Sequence, residues 1–198
     1  LSIAEDWWFD RRHGTDTMAR IQQEELDFEH PSKASAHPYY PTRGRAFRKL
    51  FESIQFPANS VFVDYGSGKG KVLLLAAECG FSKVVGIEFS EELHDVALAN
   101  IRRYGGTAAA RIEPVCCDAT AFVLRDDENV FYFFNPFEAD VLAGVIEQIK
   151  ASLQRRPRRI WVVYFDPRFV ANLLGDLGLR HTRTFVYGGF EVAVLENT

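Results

Sequence analysis

The sequence predicts an α/β protein: a doubly wound, mostly parallel seven-stranded sheet with a C-terminal antiparallel hairpin and an N-terminal helical cap. Three observations carry that reading. From residue 61 onward, short apolar runs alternate with longer amphipathic stretches, the order expected of strand–helix–strand units. The first of these runs leads into a glycine-dense loop, Gly66-Ser67-Gly68-Lys69-Gly70, as in open sheets that bind ligands at their strand ends. The last two alternating runs are joined through Gly188-Gly189, the signal for a tight primed turn between antiparallel strands.

Taken in order, residues 61–64 (Val-Phe-Val-Asp) read as a buried strand, and residues 71–79 as a helix closed by Gly80. Residues 83–89 form the second strand. Ser90 opens the next helix as N-cap, with Glu91 and Glu92 in its first turn, and the helix stops at Gly105-Gly106. Residues 111–117, 130–134 and 159–165 give three further strands, with a helix over 138–153 and a short one over 167–174. Runs 180–187 and 190–195 complete the sheet as the hairpin. The aliphatic and aromatic content of the five internal strands predicts burial on both faces.

The first sixty residues differ. Trp7, Trp8, Phe9, Phe28, Tyr39 and Tyr40 lie among charges and prolines, with no strand period. Residues 43–54 are amphipathic, with Phe47, Leu50, Phe51 and Ile54 on one face. Residues 1–58 are therefore expected to form a helical cap over the open end of the sheet, and residues 59–198 the ligand-binding domain.

Composition narrows the function. With 198 residues, 47% of them hydrophobic, the chain supports a sizeable core and is not a disordered tail. A net charge of −4 argues against a general binder of nucleic acid or anionic membranes. No apolar run approaches the length of a membrane span, and no signal peptide is visible. Cys79, Cys116 and Cys117 do not make a disulfide framework, which points to a reducing, cytoplasmic setting.

The glycine loop separates three ligand classes. A phosphate-cradling Walker loop would need glycine at 65 and serine or threonine at 72, where this chain has Tyr65 and Val72. The dinucleotide fingerprint places its third glycine one residue later than Gly70. The remaining pattern, Asp64-Tyr65-Gly66-Ser67-Gly68-Lys69-Gly70, resembles motif I of the class I S-adenosylmethionine-dependent methyltransferases. Glu88, ending the second strand before Phe89, stands where two acceptor oxygens would take both ribose hydroxyls. Asp118-Ala119, after the third strand, resembles the place where this family's acid meets the adenine amino group. The resemblance covers residues 61–195 and implies S-adenosyl-L-methionine as cofactor, with S-adenosyl-L-homocysteine as product. The implied donor-binding residues are Asp64, Tyr65, Gly66, Ser67, Gly68, Gly70, Glu88, Phe89, Asp118, Ala119 and Asn135, with Tyr39 and Thr42 from the cap.

The reacting centre is expected after the fourth strand. Asn135-Pro136-Phe137 resembles the Asn/Asp-Pro-Pro-aromatic motif of amino-group methyltransferases, with one proline where that motif has two. The resemblance implies that the Asn135 amide oxygen accepts a hydrogen bond from the target nitrogen and that Phe137 offers its ring to the developing cation. Tyr39, Tyr40 and Thr42 are candidates to close over the sulfonium, Tyr40 with its phenol as a further catalytic candidate. A narrower likeness is to protein-lysine methyltransferases of the histone Dot1 and ATP-synthase c-subunit type. The implied partner is a methyl acceptor, protein or small molecule, rather than nucleic acid.

The blander readings are a solvated Glu88, an Asn135 that only caps the next helix, an Asp166-Pro167 turn, and a basic run at 150–159 that serves as a solvated helix end. The five histidines show no ligand spacing, so no metal site is expected. Two other functions stay open at this point. One is a nicotinamide-dependent oxidoreductase, and the other a catalytically silent nucleoside-binding module.

Overall fold

The computed structural model describes residues 3–19, 41–135, 137–187 and 189–197. Its centre is a seven-stranded sheet of order β3-β2-β1-β4-β5-β7-β6. Five strands run parallel: β1 (Val61–Tyr65), β2 (Lys83–Glu88), β3 (Ile112–Cys116), β4 (Glu128–Phe134) and β5 (Trp161–Phe165). β7 (Phe190–Glu196) lies antiparallel between β5 and β6 (Arg180–Tyr187). The direction of winding reverses between β1 and β4. A crevice therefore opens outside their carboxyl ends, where sheets of this kind take ligands.

The period of two along each strand divides the apolar residues between two cores. Phe62, Val84, Tyr132 and Val163 face one way, onto α3 (Lys71–Glu78) and α2 (Gly44–Ser53). Val63, Val85, Phe131, Phe133 and Val162 face the other, onto α6 (Ala139–Arg155) and Leu173 of α7 (Val170–Leu177). Burying each large aliphatic or aromatic side chain contributes about 1.5–3 kcal/mol, which makes these layers the main source of stability. The approach of α3 to the sheet is close at Gly86, where an added Cβ would lie 2.5 Å from a Leu73 methyl carbon. α4 (Glu91–Tyr104) is capped as expected, the Ser90 hydroxyl accepting from the Leu93 N–H at 3.3 Å. The four-residue α5 (Gly106–Ala109) follows it.

Three expectations need correction. β3 is only half-buried, because it is the sheet's edge and α4 covers one face incompletely. α7 begins at Val170 rather than at 167. Asp166, at φ 50°, sends the chain through a tight turn first, with the Arg168 N–H on the Asp166 carbonyl. The amphipathic helix α2 does not lie over the open end. Its apolar face joins the first core, Phe47 meeting Phe62 and Tyr132 edge-on.

α1 (Ile3–His13) packs outside α2 and α3 around a buried charge. The Lys71 ammonium is 1% exposed, 3.9 Å from the Phe9 ring centre and 3.7 Å from an Asp6 oxygen. Burial lowers its pKa, while Asp6 and Asp10 act against that. Asp6 also accepts from the Gly44 N–H at 3.0 Å, joining α1 to the start of α2. Beyond α1, the Asp10 carboxylate accepts from Thr15, Thr17 and Met18, folding the chain into a compact turn.

Candidate active site

β1 ends in Asp64 and Tyr65, and the chain then turns through three left-handed glycines, Gly66 (φ 81°), Gly68 (φ 50°) and Gly70 (φ 80°). Any other L-residue would pay about 1–2 kcal/mol for this conformation. The N–H groups of Gly66 and Ser67 donate to the Ile87 carbonyl, which holds the loop against the end of β2. The Tyr65 side chain leaves the loop, stacking on Phe133 at 5.1 Å inside the second core. At this position only the backbone can meet a ligand.

Glu88 is buried at the end of β2, and both of its oxygens accept from backbone N–H groups. Oε2 accepts from Gly68 at 2.8 Å and Oε1 from Ser90 at 3.0 Å. A carboxylate oxygen accepts more than one bond, so both keep capacity for a ligand hydroxyl. Burial raises the Glu88 pKa, and the backbone bonds partly oppose the rise. Asp64, also buried, is raised well above the ordinary carboxylate range, first by burial and then by the negative charge of Glu88. Burial thus works against ionisation of both carboxyl groups beside the glycine loop, and at Glu88 the backbone N–H groups work for it.

Asp118 follows β3. Its Oδ1 accepts from both the backbone N–H and the hydroxyl of Thr120, at 2.7 and 2.6 Å. Ala119 packs half-buried against the second core, and Phe89 is half-buried beyond Glu88. Thr42 is buried just before α2, with its hydroxyl 3.3 Å from the Tyr132 hydroxyl. Tyr39, Tyr40 and Pro136 lie outside the described residues.

The other half of the edge is formed by β4 and β5. Asn135 and Asp166 follow these adjacent strands, and among the described residues they are the only non-glycines at positive φ, 40° and 50°. The Asn135 Nδ2 donates to Asp166 Oδ2 at 3.3 Å. Its Oδ1 is buried and, among the described residues, has no hydrogen-bond partner. Such an orphaned acceptor costs about 1–3 kcal/mol unless a donor comes to it. Phe137, expected to show its ring to the acceptor, points into the second core and meets Phe133 edge-on at 6.2 Å. The half-buried aromatic beside Asn135 is Phe134, packed against Phe165 and against Phe190 of the hairpin.

Sequence reasoning did not foresee that Phe134 and Phe190 would meet beside Asn135, because an aromatic in a strand looks the same whatever it packs on. It also missed how the segment after α1 reaches the glycine loop. The buried Lys69 donates to Asp16 at 3.0 Å, and Asn100 of α4 bonds the Asp16 N–H, the Asp16 carbonyl and the Lys69 carbonyl. The basic run is largely engaged. Lys150 pairs with Glu147, Arg155 with Asp126 and Arg159 with Glu196, while Arg158 donates to backbone carbonyls. Among the described residues no group of three or more His, Cys, Asp or Glu is placed to hold a metal ion, and no helix is long and apolar enough to cross a membrane.

Residues 20–109 match the family model of the histone methylation protein DOT1. A protein-lysine N-methyltransferase of Saccharolobus islandicus (strain REY15A) is 34% identical over 76 residues, 38% of this chain and 47% of that protein. The match thus spans about half the length of that curated relative. Among solved structures, a SAM-dependent methyltransferase from Aquifex aeolicus superposes with a TM-score of 0.61 at 15% identity, covering 89% of this chain and 98% of that one. An RNA methyltransferase from Salinibacter ruber, solved with S-adenosyl-L-homocysteine, gives 0.55 at 22% identity, over 78% of this chain and 91% of the other. The chain has the fold of the class I, seven-stranded S-adenosylmethionine-dependent methyltransferases.

Proposed function

We propose that this chain is an S-adenosylmethionine-dependent methyltransferase whose acceptor is an amine nitrogen, foremost the side chain of a protein lysine. One observation carries the choice of acceptor: the buried, unpartnered Oδ1 of Asn135 at the end of β4. An amine N–H is the complement of that oxygen. The match to DOT1 and the name of the Saccharolobus islandicus relative support lysine over other amines.

The residues at the edge fit the donor. Glu88, with both oxygens braced and still able to accept, would hold the ribose hydroxyls. The glycine loop lets the ligand approach the backbone without meeting a Cβ. Asp64, at the end of β1, would face the charged amino acid end, whose ammonium would favour its ionised form. S-adenosylmethionine supplies an electrophilic methyl carbon on a sulfonium. What the protein adds is position and exclusion of water. Asn135 Oδ1 would accept one N–H of the neutral amine, turning the nitrogen lone pair toward the methyl group. Phe134 would provide an apolar wall beside the nitrogen as its positive charge develops.

The first test is thermal unfolding with S-adenosylhomocysteine, S-adenosylmethionine and NADH in turn. At 100 times its Kd a bound ligand adds about 2.7 kcal/mol, a shift of several degrees for a domain of this size. A shift with the adenosyl sulfur compounds, lost in Glu88→Ala, supports the donor site. A shift with NADH alone overturns it. Methyl transfer to lysine-rich proteins, followed by mass spectrometry of the modified atom, then tests the acceptor. Modification confined to oxygen or carbon would refute the amine assignment.

A further inference from the structure

Asp166 is an ordinary strand-end acid in the sequence, followed by a proline. The turn it makes accounts for its backbone, with the Asp166 N–H on the Glu191 carbonyl and the Arg168 N–H on its own carbonyl. It does not account for its side chain. Across the strand pair, 31 residues away, the carboxylate accepts from the Asn135 amide at 3.3 Å. Arg168 Nε lies 3.4 Å from the same Oδ2, and the side chain remains 39% exposed.

An asparagine amide has a donor end and an acceptor end of nearly the same shape. Rotation by 180° exchanges them, and the backbone does not decide between the two. A carboxylate decides, because it can only accept. With Asp166 against one end, the nitrogen must face Asp166 and the oxygen must face away. That leaves Oδ1 buried without a donor. Both residues hold left-handed backbone conformations.

We propose that Asp166 is the positioning residue of the acceptor site: it fixes the Asn135 amide so that the oxygen, not the nitrogen, meets the incoming amine. The inference rests on the amine-methyltransferase reading. With Asp166 in place the site accepts a hydrogen bond. Without it the amide is free to turn and present N–H groups, which would repel an amine donor.

The test does not require the natural acceptor. Sinefungin is an adenosyl amino acid carrying an amine where S-adenosylmethionine carries its sulfonium methyl. Calorimetry of sinefungin and of S-adenosylhomocysteine gives a preference ratio for the wild-type protein, Asp166→Gly and Asp166→Asn. Glycine keeps the left-handed backbone with no side chain, and asparagine keeps both backbone and volume. The wild type should prefer sinefungin. Asp166→Gly should lose that preference about tenfold, as expected for a hydrogen bond to a charged group, with S-adenosylhomocysteine affinity unchanged within twofold. Asp166→Asn should fall between, since its amide can still accept from Asn135 in one of its two orientations. An unchanged ratio in Asp166→Gly overturns the proposal, and so does a wild type with no preference. A fall in Asp166→Asn equal to that in Asp166→Gly also overturns it, because lost charge alone would then explain the effect. If the wild type binds neither compound, the donor site itself is wrong, a failure separate from the others.

Discussion

Along the carboxyl edge of the sheet, the backbone turns left-handed at Gly66, Gly68 and Gly70 on the β1–β2 side, and at Asn135 and Asp166 on the β4–β5 side. The same conformation is reached by opposite means. Glycine reaches it without strain and leaves a side free for a ligand to approach the main chain. Asparagine and aspartate reach it at a cost, about 1 kcal/mol or more, and keep a polar side chain at the turn. On the proposed function, the first half of the edge would bind through its backbone and Glu88. The second would present one amide oxygen. Strain retained where glycine would remove it indicates that the side chain is needed there.

The comparison can be broken most sharply at Asn135. Asn135→Ala should lower kcat by about a hundredfold or more, the usual loss when a positioned hydrogen-bonding group is removed from a reacting centre. The affinity for S-adenosylhomocysteine should stay unchanged, as measured by calorimetry alongside turnover. On the other half, Glu88→Ala should weaken S-adenosylhomocysteine binding by about ten- to a hundredfold, since charge-assisted hydrogen bonds contribute about 1.5–3 kcal/mol. Gly66→Ala should lower stability by about 1–2 kcal/mol through the left-handed backbone alone, read as a fall in Tm without ligand. Asn135→Gly should do the reverse, raising stability by about 0.5–1 kcal/mol while losing turnover. A stabilised, inactive Asn135→Gly beside a destabilised Gly66→Ala would establish the contrast. If both were neutral, the backbone argument would fail.

A smaller effect concerns pH. Burial raises Asp64, so the folded protein holds this proton at pH values where the unfolded chain has already released it. Stability without ligand therefore falls as pH rises from the ordinary carboxylate range through the raised value. Asp64→Asn should flatten that fall and raise stability near neutral pH by about 1 kcal/mol. Denaturant midpoints at several pH values would reveal it, and an unchanged slope would refute it.

Much of this could be read from the chain. β1, β2, β4 and β5 lie within two residues of their expected limits at most ends, because buried parallel strands are continuous apolar runs bounded by turn residues. Ser90 capped its helix as its hydroxyl and acidic neighbours required. The place of Glu88 at the end of β2, against the glycine loop, was legible because a glycine loop and a strand-end acid form a local pattern. What was not legible depended on distant partners. The periodicity of α2 revealed an apolar face but not which surface would receive it. Phe137 follows Asn135 by two residues, yet Phe133 and the second core decide where its ring goes. The hydrogen bonds between Asn100 and Asp16 span 84 residues, and nothing near either residue announces them.

Gly86 has none of the left-handed geometry of the loop glycines. A Cβ there would lie 2.5 Å from a Leu73 methyl carbon and 3.0 Å from the Ser67 Cβ. The two kinds of glycine therefore answer to different selection. In a descendant that had lost its ligand, Gly66, Gly68 and Glu88 would be free to drift as far as stability allowed. Gly86 would remain for as long as α3 rested on the sheet. Among relatives, then, a retained Gly86 would record common ancestry, and only the loop glycines together with Glu88 would record a working site.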